Sequence, residues 1–366
     1  MNKRNEGLDL LRCLSMLMIA VVHLFGHGGV LGALTPGSTG YNLSALVYTL
    51  VFCAVNCYAL ISGYVGVTAR HRCRSLAYHW LVVVFWGVVL ALIVPLIRPD
   101  AAQRPLLAAF FPVIHRYYWY FTAYFALFFL MPLINKGVSA LTRTEAKRLV
   151  AGMLAVISGL SILPYINIAS SFVVEDIYQL GNGMSLMWLA VMYTVGACMK
   201  AHGLGKDIAP WKLGTGLAVS VLVAWCFKLV VEQKVPMATR SLIDSNVLLY
   251  YHSPAMVSAA LCLVLLFARC KTLPVKAGRV VRFIVPSTFS IYLIHEHSMV
   301  RGGLISGQLA PLAQDAPLII VGKVLLGAIA LYLICLLLDL ARRGLFHLLH
   351  VRQLLDRIAD HFSPEE

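Results

Sequence analysis

Long apolar runs separated by short polar segments organise the chain from end to end. Ten runs are long enough to cross a bilayer, near residues 8–26, 43–65, 75–97, 116–134, 149–166, 184–200, 212–232, 247–268, 280–300 and 317–340. Each is close to the ~20 residues that a helical span requires. The fifth is the weakest, because Pro164 shortens it. The connections are too short to hold a soluble domain. The pattern predicts an all-α, polytopic integral membrane protein of about ten transmembrane helices, with one domain over residues 1–340. In the remaining segment, 341–366, Leu345, Phe346, Leu348, Leu349, Leu354 and Leu355 recur at helical spacing between Arg343, Arg352 and histidines. That spacing predicts an amphipathic cytoplasmic tail lying on an anionic leaflet.

Composition agrees with a lipid environment: 60% of residues are hydrophobic and only 13% charged, more apolar than a soluble domain needs. The net charge of +14 would suit nucleic acid if it formed a continuous face. Instead, 21 basic residues fall in alternate connections and the termini, from Lys3 and Arg4 to Arg352 and Arg357. The opposite connections carry six: Arg98, Arg104, Arg116, Lys234, Arg240 and Arg301. This alternation predicts that both termini are cytoplasmic and that no nucleic acid is bound. The nine cysteines have no paired spacing, and most lie in apolar runs, so neither disulfides nor a metal site is expected. The basic start, Lys3-Arg4, precedes a long apolar run without a cleavage-site pattern, which predicts a retained first helix.

The first run carries three ionisable residues. Asp9, Arg12 and His23 share one helical face, with Arg12 and His23 ~16 Å apart along the axis. Ionisable groups in a span are costly and usually face a cavity. Arg12 alone could be a snorkelling anchor; with Asp9 and His23 it suggests the wall of a polar channel, and His27 one turn on would line its exit. Ser62-Gly63-Tyr64 ends the second run, followed by Arg70, Arg72 and Arg74. These arginines serve either orientation or an anion site, where guanidinium forks converge on phosphates. The ninth run ends in Tyr292, His295, Glu296 and His297, at about the depth of His23. Packing and chemistry are both open there, and no metal motif is present. Trp119 and Tyr120 suit an interfacial aromatic belt or a platform for sugar rings.

Together, Leu8-Asp9-Leu10-Leu11-Arg12 with His23, Ser62-Gly63-Tyr64, Arg70-x-Arg72, Trp119-Tyr120 and Phe289-Ser290-Ile291-Tyr292-Leu293-Ile294-His295 resemble the acyltransferase-3 family of integral-membrane acyltransferases. The likeness covers nearly the whole chain. One departure is Cys57-Tyr58-Ala59-Leu60, where the family more often has a bulky aromatic run. The resemblance implies a stand-alone enzyme of the bacterial cytoplasmic membrane. It would move an acetyl or other short acyl group from cytoplasmic acyl-CoA, with no tightly bound cofactor, to a hydroxyl of an exported envelope glycan or similar acceptor. On this reading Arg70, Arg72, Arg74, Ser62, Gly63 and Arg12 meet the donor. Trp119, Tyr120, Tyr292, Glu296 and His297 face the acceptor. His23 is the general base, with Asp9 orienting Arg12 and His295 orienting His23 or sharing its proton. Direct transfer and an acyl-histidine intermediate are both compatible with these residues. A secondary transporter or flippase for an amphipathic envelope precursor is the other reading of ten helices with buried polar groups, although no repeat symmetry is visible.

Overall fold

The computed structural model describes residues 4–100, 106–166, 176–236 and 243–362; Lys3, Arg104 and Arg240 lie outside them. The molecule is built of helices: α1 (Glu6–Gly26), α2 (Thr39–Val51), α3 (Ala54–Gly66), α4 (Cys73–Ile97), α5 (Trp119–Ala140), α6 (Arg143–Met153), α7 (Leu186–His202), α8 (Pro210–Lys234), α9 (Pro254–Arg269), α10 (Val275–Ile284), α11 (Thr288–His295), α12 (Pro317–Leu348) and α13 (Val351–Phe362). Among the described residues nine helical segments are long and apolar enough to cross a membrane, with α2–α3 and α10–α11 each forming one. The fifth run continues α6 through a π turn at Leu154–Gly159 and a 3-10 turn at Leu160–Tyr165 that contains Pro164.

The sixth run becomes α7, only 17 residues long. Its side chains explain how so short a helix is accommodated: Trp188, Leu189, Met192, Tyr193 and Val195 are buried, packed chiefly against α3 and α5. Gly63 and Gly196 allow the α3–α7 contact. A Cβ on Gly63 would stand 1.9 Å from the Tyr193 carbonyl oxygen, and one on Gly196 would stand 2.1 Å from that of Leu60. Close backbone approach through small residues is how helices associate where lipid removes the hydrophobic drive between them.

Helix α1 runs through the middle, against α3, α9, α11 and α12. Its start is pinned. Asn5 accepts from the Leu8 amide (3.1 Å) and donates to the Ala268 carbonyl (2.8 Å), while the Gly7 amide donates to the Cys270 carbonyl (2.8 Å). Glu6 accepts from the Leu273 amide (2.8 Å) and pairs with Arg282. These contacts fix the rotation of α1 and therefore the direction of its Asp9–Arg12–His23 face.

The basic segments gather at one end of the molecule. There Arg74 pairs with Asp356 (2.6 Å), Arg143 with Asp207 (2.8 Å), and Arg343 donates to the Phe283 carbonyl (3.0 Å). The last spanning helix continues past residue 340 to Leu348, so the expected tail boundary falls inside α12. The chain then turns at His350, and the separate amphipathic helix begins at Val351 rather than near Arg343.

Candidate active site

On the buried face of α1, Asp9 is only 3% exposed. Its carboxylate accepts from Arg12 (3.0 Å) and from Arg4. The main-chain carbonyl of Arg12 accepts from the Tyr58 hydroxyl (2.8 Å). Three turns further along α1, His23 lines a narrow, mostly apolar cavity of about 60 Å³ with Tyr58, Trp119, Tyr120, Tyr251, Phe289 and Tyr292. Trp119 and Tyr251 lie nearly parallel, 20° apart with centroids separated by 6.1 Å.

Helix α11 brings His295 against His23, with His295 Nε2 3.1 Å from His23 Nδ1. The tautomers follow from the outer partner. His295 Nδ1 lies 2.6 Å from the Ile291 carbonyl, which can only accept, so Nδ1 carries the proton. In the neutral ring Nε2 is then an acceptor, and His23 Nδ1 must supply the hydrogen between the two rings. His23 Nε2 is left with its lone pair, on a ring that faces the cavity.

Glu296 follows immediately and completes the cluster. It is 7% exposed, with one carboxylate oxygen paired to Arg301 and the other 3.2 Å from His23 Nδ1 and 4.0 Å from His27 Nε2. An imidazolium formed when His23 Nε2 gains a proton would therefore have a carboxylate beside its Nδ1. The donor atoms of His23, His27 and Glu296 lie within 4.8 Å of one another, the one such trio among the described residues. Arg301 already engages one oxygen of Glu296, and His295 engages His23.

The other candidates separate. Tyr292 lines the cavity and packs edge-on to His295 (6.2 Å between centroids). His297 is turned away. It accepts from the Met299 amide (3.3 Å) and lies against the Tyr117 ring. Ser62 donates to the Tyr58 carbonyl one turn back (2.9 Å), and Gly63 lies against the α7 backbone. Arg70 is exposed. Arg72 and Arg74 line a cavity of about 660 Å³ with Tyr78, His79, Arg343 and Arg352. In that wall Arg342 is held by Asp339 (2.6 Å) and Arg74 by Asp356. Among the described residues no carboxylate pairs with Arg72, Arg343 or Arg352. Arg12 lines a different cavity, of about 270 Å³.

Both cavities adjoin the His23 chamber. His79 lines the first and Phe289 the chamber, with their rings 5.5 Å apart; Tyr58 separates the second from it through its bond to Arg12. The expectations drawn from sequence did not include His79, Tyr251 or the Arg301–Glu296 pair. Arg301 read as an ordinary loop charge, and only its spacing of five residues from Glu296 hinted at a partner.

A family model described as an acyltransferase domain, of the acyltransferase-3 type, matches residues 5–340. No curated protein and no solved structure matches the chain.

Proposed function

The chain belongs to the acyltransferase-3 family of membrane acyltransferases, and from that premise we propose that it transfers an acetyl or other short acyl group from acyl-CoA to a hydroxyl of an exported glycan or similar envelope acceptor. The observation that carries this reading is the oriented His23 ring: its Nδ1 is engaged by His295 (3.1 Å) and Glu296 (3.2 Å), and the ring lines an aromatic cavity. The basic end faces the cytoplasm in this proposal, as the loop charges indicate, and receives the donor. Guanidinium groups at Arg72, Arg343 and Arg352, which no carboxylate among the described residues neutralises, suit the CoA phosphates. The pantetheine arm carries the thioester past His79 and Phe289 into the His23 chamber. The acceptor enters from the end where His27 and Arg301 lie, and its sugar ring packs on Trp119 and Tyr251.

His23 Nε2 takes the proton of the acceptor hydroxyl as the oxygen attacks the thioester carbonyl. The carbon–sulfur bond breaks, and the proton passes from the imidazolium to the departing sulfur. The products are an ester and free CoA thiol. Glu296 stabilises the imidazolium meanwhile, in a site where low dielectric strengthens the pairing. The same lone pair would serve an acyl-imidazole route. Holding thioester and hydroxyl at one imidazole supplies the proximity that the reaction requires.

The test uses the full-length protein in membranes supplied with acetyl-CoA. Release of free thiol together with a one-acetyl mass gain in the envelope glycan fraction is expected, both lost in His23→Ala. Full activity in that variant, or no donor consumption by the native protein, overturns the reading.

A further inference from the structure

A second basic cleft, separate from the arginine cavity at Arg72, opens beside the start of α1. Two confluent cavities, of about 430 and 270 Å³, share Arg4, Asn5, Tyr64 and Lys200. Six cations line them: Arg4, Arg12, Lys200, Lys206, Arg269 and Lys271. They come from four separate parts of the chain, namely the N-terminus, α1, the end of α7 with the turn after it, and the end of α9 with its continuation. Topology alone asks that such charges lie on one side of the membrane. It does not ask that four segments converge on one cleft.

The charges are poorly compensated from within. Among the described residues Asp9 is the one carboxylate in the lining, and it is already shared by Arg4 and Arg12. Lys200 stands 5.3 Å over the Tyr64 ring, and Arg269 donates to the Lys206 carbonyl (3.1 Å), a neutral partner. Among the described residues no carboxylate pairs with Lys200, Lys206, Arg269 or Lys271. Like charges so placed repel, more strongly beside a membrane than in open water. A multivalent anion would relieve that repulsion. Met199, Leu204 and Leu265 give the cleft an apolar rim, so the ligand should carry an apolar part next to its charge.

We propose that this cleft binds the phosphate groups of an amphipathic anion, through Lys200, Lys206 and Lys271 with Arg4 and Arg12. The apolar rim beside the charges points to an anionic phospholipid headgroup of the surrounding bilayer, since the donor's phosphates are placed at Arg72, Arg343 and Arg352. The proposal does not depend on His23 being the base.

The full-length protein in neutral detergent is treated with an amine-acylating reagent, and modification of Lys200 and Lys271 is read by mass spectrometry. Adenosine 3′,5′-bisphosphate and dioctanoyl phosphatidylglycerol are the two probes, with dioctanoyl phosphatidylcholine as the uncharged control. Protection of both lysines by phosphatidylglycerol, and not by the bisphosphate or the control, is expected. In Lys200→Gln/Lys271→Gln the phosphatidylglycerol affinity should fall by about tenfold or more, the loss of one or two charge-assisted contacts, while Arg72→Gln/Arg343→Gln leaves the lysine protection intact. Failure of phosphatidylglycerol to protect the lysines of the native protein, or protection by the bisphosphate in its place, overturns the proposal whether or not the double variant folds, and so does undiminished phosphatidylglycerol affinity in that variant.

Discussion

His295 Nε2 stands 3.1 Å from His23 Nδ1, and the other nitrogen of His295 is bound to the Ile291 carbonyl at 2.6 Å. That carbonyl belongs to the residue one turn back on α11, so the helix itself sets which nitrogen of His295 is protonated. The choice passes to His23 and leaves its Nε2 basic. His295 is therefore a positioning residue in the proposed reaction. His295→Ala should lower kcat by about 100-fold, the cost of losing an oriented base, with a smaller change in KM. His295→Gln, whose amide oxygen can still accept from His23 Nδ1, should recover part of the loss. Equal damage from both variants would reduce the role of His295 to packing.

Glu296 stands beside the same imidazole, 3.2 Å from His23 Nδ1. In the proposed reaction it stabilises the imidazolium that forms as Nε2 takes the acceptor proton. Glu296→Gln keeps the size of the side chain and removes that charge, so it should lower kcat by about tenfold or more with little change in acyl-CoA affinity. The check is thiol release and donor binding in both forms. An unchanged kcat separates Glu296 from the proton step.

Asp9 has one carboxylate for two guanidinium groups and is nearly fully buried. Asp9→Asn leaves Arg4 and Arg12 without their anion, and should lower stability by roughly 1–3 kcal/mol, the range for disrupting a hydrogen-bonded charge. Part of the loss is recoverable because Arg4, half exposed, can turn to water. Thermal unfolding of the purified protein in detergent measures it.

The Ser62-Gly63-Tyr64 motif reads in sequence as a ligand contact, yet the Gly63 Cα faces the Tyr193 carbonyl. Gly63→Ala should therefore impair α3–α7 packing and reduce the amount of folded protein, with acyl-CoA affinity per folded molecule unchanged. Wild-type folding with a weakened donor affinity would restore the motif to the binding site.

These cases show which features a single sequence exposes. The Asp9–Arg12–His23 face was legible because one helical period fixes it, and all ten runs were legible from length and apolarity, nine of them as helical segments long enough to cross a membrane among the described residues. The 17-residue α7 satisfies the membrane through its neighbours, which no window along the chain contains. Glu296 stood out as an intramembrane carboxylate, but its partner Arg301 lies across a turn whose geometry the sequence does not reveal. Likewise, Arg70, Arg72, Arg74 and Arg12 read as one anion-binding group from their position at one membrane surface. The packing of α3, α4 and α13 sends Arg72 and Arg74 into one cavity and Arg12 into another.

That division makes the donor's route testable. The His79–Phe289 ring pair separates the arginine cavity from the His23 chamber, and the Tyr58–Arg12 bond separates the neighbouring cleft from it. An acyl chain entering from the arginine cavity must pass Phe289, so Phe289→Trp, which adds bulk at that wall, should lower kcat by about tenfold or more. That loss corresponds to ~1.4 kcal/mol or more on the barrier. Affinity for acyl-CoA should change little, because Arg72, Arg343 and Arg352 hold the phosphates on the other side of the rings. Tyr58→Trp should then be the milder variant. If the donor enters beside Arg12 instead, the order reverses: bulk at Tyr58 blocks turnover and bulk at Phe289 is tolerated. Thiol release and acyl-CoA binding, measured on both variants, distinguish the two routes through one chamber.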